Sequence, residues 1–227
     1  MTPKLIIFDI DGTLIDSISH IVAMMERAFS ANDIAPPPVD AIKAIIGRSL
    51  DLAIAELLDG PDTRHAPKVA DTYRGIFREE TEKSEARFFP GALELVRDLS
   101  ARDDVLLGIA TGKARRGLDT ILGPRDLYRH FQSVQTSDIA PSKPDPAMIE
   151  RAMAETGAAP DGTVMVGDSA LDMAMARAAG VTAIGVAWGA QSSADLDAAG
   201  AHAIMADFVM LQHTLCDRLT EVVAADG

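Results

Sequence analysis

Two aspartates, Asp9 and Asp11, stand two residues apart directly after the apolar run Leu5-Ile6-Ile7-Phe8, and Gly12-Thr13 follow them. Residues at that spacing project to the same side of an extended backbone, so two carboxylates meet where the chain leaves a strand. An Asp-Gly pair at such a place also suits an ordinary turn or helix cap. The chemical alternative is that one carboxylate attacks phosphorus, forming the covalent intermediate known for aspartate, while the other carries the leaving-group proton. Adjacent carboxylates repel each other, and a divalent cation would hold the pair ionised.

Three further stretches place complementary groups after apolar runs. Ile109-Ala110-Thr111-Gly112-Lys113 offers phosphate oxygens a hydroxyl and bare backbone N–H groups, or is simply a strand entering a turn. It is not a nucleotide P-loop, because Ala114 follows Lys113 and no glycine lies five residues before Gly112. Ser142-Lys143-Pro144-Asp145-Pro146 sets a lysine ahead of a proline that restricts its backbone. Lys143 is read either as a counter-charge to the carboxylates and phosphate or as an exposed residue before a helix started by Asp145 and Pro146. Val164-Met165-Val166-Gly167-Asp168 ends in a carboxylate, with Asp172 one helical turn later, although a helix dipole alone favours acids there. Jointly, four strand ends carry the residue types that a magnesium and phosphate site needs.

Such groups converge only if the strands run side by side in one direction. Apolar runs at Leu5–Phe8, Val105–Ala110, Thr163–Val166 and Thr182–Ala187, with a shorter one near Val134–Thr136, predict strands buried on both faces. Helix-like stretches at Gly91–Arg102, Arg115–Leu122, Pro146–Thr156 and Leu171–Ala179 alternate with them. The expected fold class is α/β, a doubly wound Rossmann-like parallel sheet with its site at the strand C-terminal ends. From Ile15 to Glu85 the apolar residues recur at helical spacing (Ile21, Met24, Met25, Ala28; then Leu50, Ile54, Leu57, Leu58) and no strand run appears. The expected organisation is a core of residues 1–14 and 86–227 and a smaller all-helical domain over 15–85.

Composition narrows the function. With 48% hydrophobic residues among 227, the chain can bury enough surface to order itself. Its 34 acidic against 21 basic residues, net charge -13, argue against generic binding to nucleic acid or anionic membranes, so a phosphate ligand must be held by local devices. A single cysteine, Cys216, excludes an intramolecular disulfide and multi-cysteine zinc sites. The four-residue apolar run before Asp9 is too short for a signal-peptide core, and no run reaches membrane-spanning length, so the expected location is the cytoplasm. Oligomeric state is not legible in the sequence.

In the order and nature of these motifs the chain resembles the haloacid dehalogenase-like superfamily over essentially its full length. Asp9-Ile10-Asp11-Gly12-Thr13 matches the first motif, Thr111-Gly112 the second, Lys143-Pro144 the third, and Gly167-Asp168 with Asp172 the fourth. The helical insert between the first two motifs looks like the cap of the phosphoglycolate phosphatase-like group. The resemblance implies that Asp9 is the nucleophile, that Asp11 is the general acid and base, and that Thr111, Gly112 and Lys143 bind the phosphoryl group. It implies Mg2+ held by the Asp9 carboxylate, the Asp11 main-chain carbonyl and Asp168, with Asp172 in support. An aspartate at position 11 places the chain on the phosphate-ester side of the superfamily, away from its dehalogenases and phosphonate hydrolases.

The implied activity is hydrolysis of a small phosphorylated metabolite, with phosphoglycolate as the substrate class of the resembling group. Alternatives are a pyrophosphatase, a phosphosugar mutase, or a non-catalytic relative that binds a phosphorylated ligand. Mutases of the family carry a histidine early in the cap; His20 lies one residue away from that place and reads as a helix-surface residue. Substrate choice is expected in the cap, first at Gly47-Arg48-Ser49, where Arg48 suits a carboxylate or second phosphate, and otherwise at Arg74 or Arg78. Trp188 either lines the site or packs.

Overall fold

The computed structural model describes residues 4–58, 60–83 and 85–225. Six strands, β1 (Lys4–Phe8), β2 (Val105–Thr111), β3 (Ser133–Thr136), β4 (Thr163–Gly167), β5 (Thr182–Val186) and β6 (Ala203–Met205), form one parallel sheet in the order β3-β2-β1-β4-β5-β6. Alternate residues of β1 serve opposite faces, as the strand repeat of two requires. Leu5 and Ile7 join Met148, Ile149 and Met173 on one side, while Ile6 and Phe8 join Leu95, Val96, Leu118 and Leu211 on the other. Helices α5 (Ala92–Ser100), α6 (Arg115–Leu122), α7 (Ala147–Thr156) and α8 (Ala170–Ala178) lie in the stretches where helical patterning predicts them, within one or two residues at each end. The α/β doubly wound class is therefore the observed one.

The last fifty residues contain more structure than the apolar runs indicate. Helix α9 (Ser193–Ala198), strand β6 and helix α10 (Phe208–Ala225) complete the sheet edge. Strand β6 is three residues long and only Met205 is buried, so it leaves no continuous apolar run to read. Pairing with β5 in register, Ile184 to Ala203 and Val186 to Met205, is what makes it a strand.

Between β1 and α5 the described residues form four helices, α1 (Ile18–Ser30), α2 (Val39–Ala44), α3 (Leu50–Leu57) and α4 (Ala66–Lys83), with a short 3-10 turn at Gly60–His65. They share a hydrophobic cluster of their own that includes Met24, Met25, Phe29, Ile42, Ile54 and Val69. The segments that enter and leave this insert lie side by side. Ile15 bridges to Phe88, the Asp16 N–H donates to the Arg87 carbonyl at 2.9 Å, and the Phe89 N–H donates to the Leu14 carbonyl at 3.0 Å.

Because both faces of β1 are covered, truncating either face carries a cavity cost. Ile6→Ala and Ile7→Ala are each expected to lower unfolding stability by about 2–5 kcal/mol in urea denaturation. A loss below about 1 kcal/mol at one of them would mean that its face of the sheet is not packed.

Candidate active site

The functional side chains stand where strands end. Strand β1 is flanked by β2 and β4, so Asp9 just past β1, Thr111 closing β2 and Asp168 just past β4 come to one edge of the sheet. Asp9, Thr111, Lys143, Asp168 and Asp172 are all buried. Gly12 turns the chain with φ 81°, and a Cβ there would overlap the Asp168 carboxylate. The backbone of the first motif thus lies against the fourth.

Lys143 is the hub. Its Nζ donates to Asp172 Oδ1 at 2.6 Å and lies 3.0 Å from Asp9 Oδ1. Apart from that ammonium, Asp9 Oδ1 has no hydrogen-bond partner among the described residues. Asp172 is fully engaged: its Oδ2 accepts the Ser169 N–H at 3.1 Å and the Ser169 hydroxyl at 2.6 Å, closing a capping box at the start of α8. Asp168 accepts the Thr13 hydroxyl at 3.1 Å and the Ala190 N–H at 2.7 Å.

Burial sets the electrostatics. It raises the Asp9 pKa to about 7; attraction to Lys143 opposes that rise, and repulsion from Asp172 and Asp11 adds to it. Burial likewise lifts Asp168 well above the carboxylate range, with Asp9 and Asp172 pushing in the same direction. For Lys143 burial disfavours the charge, but Asp172 and Asp9 outweigh it and the pKa rises. Three carboxylates therefore face a single ammonium. One carboxylate oxygen each from Asp9, Asp168 and Asp172 lies within 4.8 Å of the others. An all-oxygen anionic set of that span suits a hard divalent cation.

Asp11 sits beside this cluster, its Oδ1 accepting the Ser17 hydroxyl at 2.8 Å and its Oδ2 3.1 Å from Lys113 Nζ. Lys113 also lies over the ring of Phe77 on α4, 4.9 Å from its centroid. Asp9, Asp11, Thr111, Gly112 and Arg48 all line one cavity of about 480 Å³ between insert and sheet edge. Gly112 meets the insert so closely that a Cβ would overlap the Gly47 and Arg48 carbonyl oxygens. The Ser49 N–H donates to the Ser142 hydroxyl at 2.8 Å, fastening the same turn to the lysine loop.

The three arginines singled out in the insert all line the cavity, in different states. Arg48 is 2.7 Å from Glu56. Arg74 is held by Asp51 at 2.7 Å and by Asp71 at 2.9 Å. Arg78 is exposed. His20 is exposed on α1 and does not line the cavity. Trp188 packs: its ring is 4.5 Å from that of Phe208 and its Nε1–H donates to the Thr13 carbonyl at 3.0 Å.

Sequence reasoning gave no role to Thr13, Lys113, Ser169 or the Ala190 N–H. Ser169-x-x-Asp172 is a readable capping box. Nothing local marks Lys113 or Ala190, because their partners lie 102 and 22 residues away.

A parallel sheet with carboxylates, a lysine and a hydroxyl at its C-terminal edge, under a helical insert, defines a class of α/β hydrolytic enzymes. The family model described as haloacid dehalogenase-like hydrolase matches residues 6–186, and the chain belongs to that family. It is 35% identical over 209 residues to a probable phosphatase, IndB, of Dickeya dadantii, with 90% of each chain covered. It is 31% identical to a phosphoglycolate phosphatase of Rhodospirillum rubrum, covering 92% of this chain and 89% of that one. Among solved structures, a hydrolase from Pseudomonas syringae superposes with TM-score 0.81 at 27% identity, covering 96% of this chain and 99% of that one.

The burial of these carboxylates, reinforced by their mutual repulsion, has a stability consequence. Asp9 has a folded pKa near 7 against about 4 in an unfolded chain, so the folded state binds more protons between those values. Chelator-treated protein is therefore expected to be most stable below about pH 4 as far as this group is concerned, and to lose that contribution as pH rises through 7. A divalent cation should remove the loss. Asp168→Asn should raise the melting temperature in chelator by several degrees and blunt the rise on adding cation. A lower melting temperature in chelator would show that the carboxylates do not strain the fold.

Proposed function

We propose that the chain is a magnesium-dependent phosphomonoester hydrolase of small phosphorylated metabolites that works through an aspartyl-phosphate on Asp9. One observation carries the reading: the buried Asp9 carboxylate lines the cavity with the Lys143 ammonium 3.0 Å from its Oδ1 and Asp168 beside it. A carboxylate with only a structural role accepts several hydrogen bonds, as Asp172 does from Lys143 and Ser169.

In this reading Asp9 attacks phosphorus, the bond to the leaving oxygen breaks, and Asp11 gives that oxygen a proton. Water then attacks the aspartyl-phosphate, Asp11 takes its proton, and inorganic phosphate leaves with Asp9 regenerated. Thr111, the Gly112 N–H and Lys143 bind the phosphoryl oxygens and offset their charge. Asp9, the Asp11 main-chain carbonyl and Asp168 would hold the cation, with Asp172 supporting through Lys143 and Ser169. Bound Mg2+ supplies charge neutralisation at the phosphoryl group.

Residues 15–85 act as the cap that closes over the site and excludes water. Arg48 is the first candidate for a contact with the substrate, sharing its charge with Glu56. Curated relatives named phosphoglycolate phosphatase make that acid the first ester to assay. The exposed His20, outside the cavity, favours hydrolysis over a mutase outcome.

Purified protein with Mg2+ should release phosphate from an aryl phosphate and stop when chelator is added. Asp9→Asn should reduce kcat by roughly a thousandfold or more while circular dichroism stays unchanged; undiminished turnover would remove Asp9 from the nucleophile's role.

A further inference from the structure

The cavity above the Asp9 edge is both larger and less polar than the reaction centre needs. About 480 Å³ falls among clefts that enclose whole drug-sized ligands, roughly 300–1,000 Å³. A phosphoryl group with a two-carbon acid would leave much of it filled by water. Polar groups line its floor, where Asp9, Asp11, Thr111 and Lys113 stand, and the insert adds Arg48, Asp51, Arg74 and Arg78. Taken whole, the lining exposes more carbon than polar surface, and the insert supplies much of it from Ile21, Met25, Ile45, Ile46, Leu50 and Phe77.

Charge points the same way. Two of the insert arginines on this cavity already have carboxylate partners, Arg48 in Glu56 and Arg74 in Asp51 and Asp71. The remaining arginines on the lining, Arg78 and Arg116, are exposed to solvent, where a guanidinium gains little from a single anion. A short anionic tail laid against the carbon of this lining would leave water without a cation beside it, and a carboxylate so placed is costly.

From the cavity's carbon-lined insert side we infer that the preferred substrates are phosphomonoesters whose leaving group carries an apolar body, of aromatic-ring or medium alkyl size, rather than a short anionic acid. This rests on the hydrolase reading for its chemistry, but the recognition it describes is a property of the cavity. The phosphate end is fixed at the floor by charge, and the apolar body lies against Leu50, Phe77 and their neighbours.

The test is a chain-length series, ethyl, butyl and hexyl phosphate, run beside phosphoglycolate with Mg2+ present. Each added CH2 that leaves water should raise kcat/KM roughly fourfold, and hexyl phosphate should exceed phosphoglycolate. A flat or falling series, or phosphoglycolate as the best substrate, overturns the inference. In Leu50→Gln, half-buried at the start of α3, the hexyl-to-ethyl ratio should fall by about threefold or more; an unchanged ratio also counts against it. Should no ester release phosphate, the hydrolase reading fails by itself. Calorimetric titration of the same series into the wild-type protein then decides the inference: a Kd that tightens with each CH2 sustains it, and a constant Kd overturns it.

Discussion

The structure turns on an imbalance of buried charge. Asp9, Asp168 and Asp172 are out of water within a few ångströms of one another, and Lys143 is the cation set among them. Burying unpaired charge is unfavourable, so the surroundings must either neutralise it or hold it by force of packing. Here each carboxylate is treated differently. Asp172 is saturated by Lys143 and Ser169, Asp168 is held by Thr13 and Ala190, and Asp9 Oδ1 has only the Lys143 ammonium beside it among the described residues.

Strand order explains how that concentration is possible. Crossovers from β1 run outward through β2 and β3 on one side, and through β4, β5 and β6 on the other. The reversal leaves β1 between β2 and β4, and in a parallel sheet such a switch point opens a crevice at the strand C-terminal ends. Asp9 lies in it, with Thr111 from one neighbour and Asp168 from the other. The two-faced core beneath, with Leu5 and Ile7 packed one way and Ile6 and Phe8 the other, keeps β1 from shifting.

The helical insert closes the crevice by backbone as much as by side chains. The turn at Gly47 and Arg48 sits so near Gly112 that no side chain fits between them, and Ser49 is tied to Ser142 on the loop that delivers Lys143. Lys113 joins the two bodies again, pairing with Asp11 below and lying over Phe77 above. Carbon from the insert then forms the upper wall of the cavity whose floor is charged.

Much of this is written locally. Four apolar runs, three of them leading directly into Asp9, Thr111 or Gly167-Asp168, are legible because a strand buried on both faces needs consecutive apolar residues, and because strand ends are where a parallel sheet exposes its chemistry. Helical spacing likewise marks the insert and the helices that alternate with the strands. Strand β6 escaped, since a half-buried edge strand of three residues is defined by its neighbour's hydrogen bonds and not by its own composition. The commitment of Arg48 to Glu56 and of Arg74 to Asp51, the pairing of Lys113 with Asp11, and the Ala190 N–H on Asp168 were beyond reach for a related reason. Residue type and spacing determine which groups a chain can offer; which of them are left free, and which are cancelled by a partner, depends on distances that exist only once the chain has folded.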